Sequence, residues 1–129
     1  MNLLYRKIDE QVSDAIASFS SLKTTNTAVT VTDDKIVVQL HGNTIATIHV
    51  GEGNTVKGIT RVNFNPCGWH TKTTRNRLNA VVHALHRLDY AHKIGGFKIR
   101  NGVIHILQHY GELNSQFIDF TYDNIPDMS

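Results

Sequence analysis

The residues best suited to chemistry lie in one stretch, Cys-Gly-Trp-His-Thr-Lys-Thr-Thr-Arg-Asn-Arg-Leu-Asn, at positions 67–79. It brings together threonine hydroxyls, an indole, an imidazole and basic side chains: Trp69, His70, Thr71, Lys72, Thr73, Thr74, Arg75 and Arg77. Such groups donate hydrogen bonds and carry positive charge, so the stretch predicts an anion-binding site, for example for phosphate. No catalytic residue, cofactor or metal ligand is assigned to it.

The same stretch begins a helix that the apolar spacing predicts over residues 73–88. A threonine before a helix can cap its first turn, and free N–H groups at a helix start attract anions. Lys72, Arg75 and Arg77 near the start oppose the helix dipole, which favours a negative ligand or partner there. The simpler alternative is that one threonine is the cap and the basic side chains only meet water.

Trp69 has two interpretations. A tryptophan just before a helix can pack as a hydrophobic staple that sets the entry angle of the chain, and this is the favoured one. An exposed indole would instead be a stacking platform for a base or an anchor for a protein partner. His70 would add a further donor to the same site.

Charge is strongly segregated along the chain. Residues 57–100 hold nine Lys and Arg against one acid, a net of +8, whereas residues 1–56 total −2 and residues 101–129 total −4. The mild overall charge of +2 hides this polarity. We expect Arg87, Lys98 and Arg100 to extend the site as a supporting basic face, as nucleic-acid-binding surfaces do.

Motifs for catalysis or metal binding are weak. Cys67 precedes His70 by three positions, but nearness in sequence does not orient a base on a nucleophile. Two histidine pairs, at positions 83 and 86 and at positions 105 and 109, lack the third or fourth converging ligand that a transition metal needs. A histidine- or metal-dependent phosphoesterase is therefore only a remote alternative, and a non-enzymatic role is favoured.

Length and composition predict one domain of residues 1–122, followed by an acidic C-terminal tail of residues 123–129. The one cysteine excludes an internal disulfide and suggests a reducing compartment. No apolar run is long enough for a secretory signal or a membrane span, so we expect a cytosolic protein without a membrane partner. The sequence does not set the oligomeric state.

Periodicity predicts an α+β fold in the order α-β-β-β-β-α-β-β, with two helices on an antiparallel sheet of about five to six strands. The first helix is predicted over residues 2–22, with Asp9 on its solvent side. A meander of strands then covers residues 27–32, 36–41, 44–50 and 59–64. After the second helix, the Asn101-Gly102 turn predicts a hairpin of residues 97–100 and 103–108, and residues 117–122 suggest a last edge strand.

The block at positions 67–79 resembles one found in small tailed-bacteriophage proteins of unknown function. That block is Gly-aromatic-x-Thr-x-Thr-Thr-basic-x-Arg-Leu/Met-Asn, and it follows a short β region like residues 37–50. The resemblance covers about residues 36–85 and carries no catalytic assignment. It implies a phage origin, expression in the cytoplasm of the infected bacterial host, and a binding role.

These observations lead to one hypothesis and its alternative. The first is a phage-encoded accessory protein that binds a polyanion, either nucleic acid or a nucleotide-like phosphate, at residues 69–77. The alternative is an inhibitor or adaptor that binds an acidic host protein, in host takeover or in defence against host immunity. Both use the same basic surface, so composition does not separate them.

Overall fold

The computed structural model describes residues 7–50, 59–88, 94–108, 111–113 and 120–121. Two helices in this part of the chain are α1 (Lys7–Ala17) and α2 (Lys72–Arg87). The strands are β1 (Leu22–Lys23), β2 (Thr27–Val31), β3 (Lys35–Leu40), β4 (Asn43–Val50), β5 (Ile59–Phe64), β6 (Ile94–Arg100), β7 (Val103–Gln108), β8 (Gly111–Leu113) and β9 (Phe120–Thr121). The predicted α+β class is confirmed.

The strands form two sheets in which all neighbours are antiparallel. One has six strands in the order β1-β2-β3-β4-β5-β9, and the other has three in the order β6-β7-β8. The predicted meander is β2 to β5, and the predicted hairpin belongs to the second sheet. The predicted edge strand is represented by β9; residues 117–119, residue 122 and the predicted tail lie outside the described residues.

Two hairpin turns have the backbone that their sequences favour. His41 and Gly42 between β3 and β4 have φ of 52° and 81°, and Asn101 and Gly102 between β6 and β7 have 53° and 76°. Positive φ at both central residues defines the type I′ turn, whose twist matches that of the strands it joins. The Asn-Gly prediction is thus confirmed, and both turns lie near the loop that precedes α2.

The first helix ends earlier than predicted. Phe19 fits the helical apolar spacing, but it adopts the left-handed conformation with φ of 53°. Its N–H donates to the Ile16 carbonyl at 3.1 Å and the Ser20 N–H to the Ala15 carbonyl at 2.8 Å. These two bonds form a Schellman motif, which satisfies the last carbonyls of α1 and turns the chain into β1.

The core lies between the helices and the inner faces of the sheets. Val12 and Ile16 of α1 and Leu78 and Leu85 of α2 are fully buried. Inward-facing positions of β3 to β5 complete this layer: Ile36, Val38, Ile48, Val62 and Phe64. The ring of Phe64 meets that of Phe97 on β6 edge to face at 5.1 Å between centroids, and this contact joins the two sheets.

Two polar side chains of α2 are buried although they lie outside its apolar stripe. Asn76 and Asn79 are 4% and 3% exposed. The Asn79 amide donates to the Phe97 carbonyl at 3.1 Å and accepts from the Phe97 N–H at 2.6 Å, so it pairs with β6 as a neighbouring strand would. The helix packs against α1 on one side and β6 on another, and a single apolar stripe in the sequence does not reveal the second contact.

Candidate functional site at the start of α2

The loop that joins β5 to α2 is held in one conformation by its own hydrogen bonds. The Asn65 side chain accepts from the Cys67 N–H at 2.8 Å, and the Trp69 N–H donates to the Pro66 carbonyl at 2.9 Å. Cys67 and Gly68 both have positive φ, 57° and 78°. This tight reversal positions Trp69 at the surface.

Trp69 is 60% exposed, which makes it the one large apolar side chain on the surface of the described residues. The favoured interpretation of this residue as a packed staple is therefore wrong. An exposed indole offers a face for stacking or a surface for a partner, and both leave the ring in contact with solvent until a ligand arrives.

Beside Trp69 lies a cleft of about 300 Å³. Most of its surface is apolar, with Leu40, Ile45, Pro66 and Trp69 on its walls. Polar groups are contributed by His41 and Asn43 from the β3–β4 turn and by Thr71, Thr73 and Thr74 from the start of α2. No Lys, Arg, Asp or Glu is among its described lining residues. His41 and Asn43 were not predicted as site residues, because no local signal in the sequence shows that this turn faces the helix.

Thr71 is the N-cap of α2, as one of the threonines was predicted to be. It has extended backbone, and its hydroxyl accepts from the Thr74 N–H at 3.2 Å. Thr74 is buried, and its hydroxyl lies 3.1 Å from that of Thr71. Thr73 is half-buried on the cleft wall. All three threonines thus line the cleft, and two of them also have structural roles, because Thr71 caps α2 and Thr74 is buried in the core.

The basic residues of the block separate in space. Lys72 is exposed at the first position of α2, whose first turn contains no acid. Arg75 is half-buried, and its guanidinium donates to the Asn76 side chain at 3.1 Å. Among the three Lys and Arg residues of the block, Lys72, three positions after Trp69, is therefore the one that is exposed.

Arg77 lies in the interior, which corrects its placement on an exposed surface. Its side chain is 3% exposed, and Nη1 donates to the Asp9 carboxylate at 2.6 Å. Nε donates to the Thr27 hydroxyl at 2.9 Å. Because Asp9 is fully buried, the predicted solvent position of this acid is also wrong. The charge of Arg77 stabilises the packing of α1 on α2 rather than a surface anion.

His70 connects the loop to the second sheet. Its Nδ1 accepts the Ile104 N–H at 2.9 Å, which places the imidazole proton on Nε2. Ile104 pairs with Ile99 on β6, and the next pair along the hairpin is Arg100 with Val103. This contact brings the backbone of Arg100 close to the start of α2, with Lys98 two positions away on the same strand.

Arg87 does not join this group. It ends α2, about 22 Å from Lys72 at the rise of an α-helix. Its Nη1 bonds the Asp14 carboxylate at 2.6 Å and the Ser13 hydroxyl at 3.3 Å. The residues of the predicted supporting basic face therefore do not lie together: Arg87 is at the end of α2, whereas Arg100 is on the hairpin near its start.

The groups that resemble catalytic pairs are structural. The Cys67 thiol donates to the Thr44 carbonyl at 3.1 Å, and burial raises its pKa, which favours the protonated thiol. Ser13 Oγ lies 2.8 Å from His83 Nδ1, but Ser13 is fully buried. Burial, and then the charge of Arg87, lower the pKa of His83.

The described residues contain no group of three or more His, Cys, Asp and Glu side chains placed to hold a metal ion. Neither α1 nor α2, the helices that the described residues contain, has the length and apolar character of a membrane span.

The fold and the site define a small α+β protein with an exposed tryptophan and a cleft at one helix start. The model of the Kyanoviridae Gp96 protein family matches residues 5–121, so the chain belongs to this family of tailed-phage proteins of unknown function. The predicted phage origin is confirmed. No curated protein and no solved structure shows a significant match to the chain.

Proposed function

We propose that this phage protein is a non-enzymatic accessory protein that binds a polyanion, nucleic acid or a nucleotide-like phosphate, at the start of α2 in the host cytoplasm. The observation that carries the proposal is the exposed Trp69 beside the cleft, with exposed Lys72 three positions along the chain. An aromatic face next to a positive charge is the combination that binds a base and its phosphate. Thr73 adds a hydroxyl at the same wall.

Electrostatics supports the same surface. Residues 57–100 carry a net charge of +8, and Arg100 lies on the hairpin that His70 fastens to the loop. The two buried or paired arginines, Arg77 and Arg87, are not part of the proposed site. Affinity should therefore depend on few ionic contacts and fall only moderately as salt increases.

The test is direct binding of labelled DNA and RNA, single- and double-stranded, over a series of salt concentrations. Lys72→Ala should weaken binding and lower the salt dependence, whereas Lys35→Ala should do neither. Lys35 is a matched control because it is exposed at the far end of β3, about 17 Å from the Leu40 end that lines the cleft. Absence of binding at low salt, or equal effects of both substitutions, would refute the proposal.

A specific observation also favours a second function, the binding of an acidic host protein. Tryptophan is one of the residue types enriched among the dominant contacts of protein interfaces, Trp69 is exposed, and the adjoining cleft is mainly apolar. The discriminating experiment is a pull-down from host lysate with and without nuclease, comparing the native chain with Trp69→Ala. A partner that survives nuclease and is lost on substitution would favour the protein-binding function.

A further inference from the structure

We infer that the Trp69 cleft holds an unpaired base of a single-stranded nucleic acid, stacked on the indole, while the phosphate lies outside it near Lys72. This inference rests on the proposed function and specifies its ligand. The starting observation is the chemistry of the cleft, whose described lining has no Lys, Arg, Asp or Glu side chain and a mainly apolar surface. Such a lining accepts a flat, uncharged ring and disfavours a phosphate, which would lose its hydration without a counter-charge.

The size of the cleft agrees with this occupant. A volume of about 300 Å³ lies at the lower end of small-molecule sites, which is suited to one ring system rather than to a folded peptide segment. The polar groups of His41, Asn43 and Thr73 on the walls can meet the donors and acceptors on the edge of a base. Trp69 supplies the stacking surface at the rim.

The charges lie outside the cleft, where a backbone would run. Lys72 is exposed, and the first turn of α2 contains no acid that would repel a phosphate. A mainly apolar cleft next to the cationic side chain of Lys72 is complementary to a nucleotide unit, whose base is uncharged and whose phosphate is anionic.

Paired nucleic acid fits this site poorly. A base inside a duplex is stacked on both faces, so it reaches the indole only after it is flipped out, at a cost of a few kcal/mol. An unpaired strand avoids that cost and still provides phosphates for Lys72. The structure therefore favours single strands over duplexes of the same length.

The chain contains one tryptophan, so its intrinsic fluorescence reports directly on this site. We expect a single-stranded 12-mer to quench the emission of the full chain and the matching duplex to bind at least tenfold more weakly. Trp69→Phe keeps an aromatic face, whereas Trp69→Leu keeps only apolar bulk. With anisotropy of a labelled 12-mer as the measurement, the Leu variant should lose about 5- to 150-fold in affinity, the range for one lost base–aromatic stack, and the Phe variant clearly less.

The outcomes separate the inference from the proposed function. No binding of any nucleic acid or nucleotide at low salt would overturn both. Equal binding of duplex and single strand, or equal losses in the Phe and Leu variants, would overturn the inference and leave polyanion binding standing. A mononucleotide that binds as tightly as the 12-mer would overturn the single-strand assignment in favour of a nucleotide. Circular dichroism of each variant verifies its fold, which substitution of an exposed residue should preserve.

Discussion

Two ion pairs between described residues join α1 to α2, and they differ sharply in burial. Comparing the cost of breaking each pair therefore tests the buried position of Arg77. Asp9 with Arg77 and Asp14 with Arg87 have the same separation of 2.6 Å between nitrogen and oxygen. The side chains of the first pair are 0% and 3% exposed, whereas those of the second are 70% and 43% exposed. The same isosteric substitution, Asp to Asn, removes the negative charge from either pair.

The expected costs differ by several kcal/mol. Asp9→Asn leaves the guanidinium of Arg77 buried without a counter-charge, which costs about 3–5 kcal/mol in other proteins. Asp14→Asn leaves Arg87 in water, where an ion pair contributes about 0–1 kcal/mol. Since a domain of this kind has a total stability of about 5–15 kcal/mol, the first substitution should remove a large part of it.

The assay is urea unfolding of the native chain and both variants, followed by circular dichroism and single-tryptophan fluorescence. Asp9→Asn should move the midpoint strongly to lower urea, while Asp14→Asn should leave it nearly unchanged. If the two variants lose the same free energy, the buried location of Arg77 is wrong. The double variant Asp9→Leu/Arg77→Met should recover stability relative to Asp9→Asn, because it removes both charges together.

Three further outcomes follow from the described contacts. The folded chain holds the pKa of His83 below its ordinary 6.5 through burial and the charge of Arg87, so the unfolded chain binds the proton first as pH falls. The free energy of unfolding should therefore decline as pH falls from above 6.5 through the lowered pKa. His83→Gln should make a plot of this free energy against pH flatter over that range, as urea unfolding at a series of pH values would measure. Asn79→Ala should cost about 2–5 kcal/mol in urea unfolding, because the Phe97 N–H and carbonyl both lose their buried partner. Cys67, whose thiol has a raised pKa, should react with iodoacetamide at pH 8 several times more slowly in the folded than in the urea-unfolded chain, as mass spectrometry would measure.

The secondary structure was largely predictable because its signals are local. Alternation of apolar residues located β2 to β5 within a residue or two, and the Asn101-Gly102 turn placed the hairpin of β6 and β7. The end of α1 was not predictable in this way. Phe19 continues the apolar spacing of the helix, yet its left-handed backbone stops the helix there.

The burial of polar residues was less predictable, because it depends on contacts that are distant in sequence. The positions of Asn79 and Arg77 on α2 gave no sign that β6 and α1 would cover them. Arg77 bonds Asp9 across 68 positions and Thr27 across 50, separations that no local pattern encodes. The same limit applies to the cleft, whose walls come from the β3–β4 turn and from the start of α2.

Most residues of the block at positions 67–79 have structural roles. Its left-handed Cys67 and Gly68 turn the chain, and its next conspicuous residues cap the helix, fill the core or pair inside it: Thr71, Thr74, Arg77, Leu78 and Asn79. These roles explain most of the pattern without a ligand. Among the remaining residues, Trp69, Lys72 and Thr73 have side chains that contribute to the cleft or to the exposed surface beside it. Within the block, the binding hypothesis therefore depends mainly on these three residues, and substitution of the capping and core residues would change stability before it changed binding.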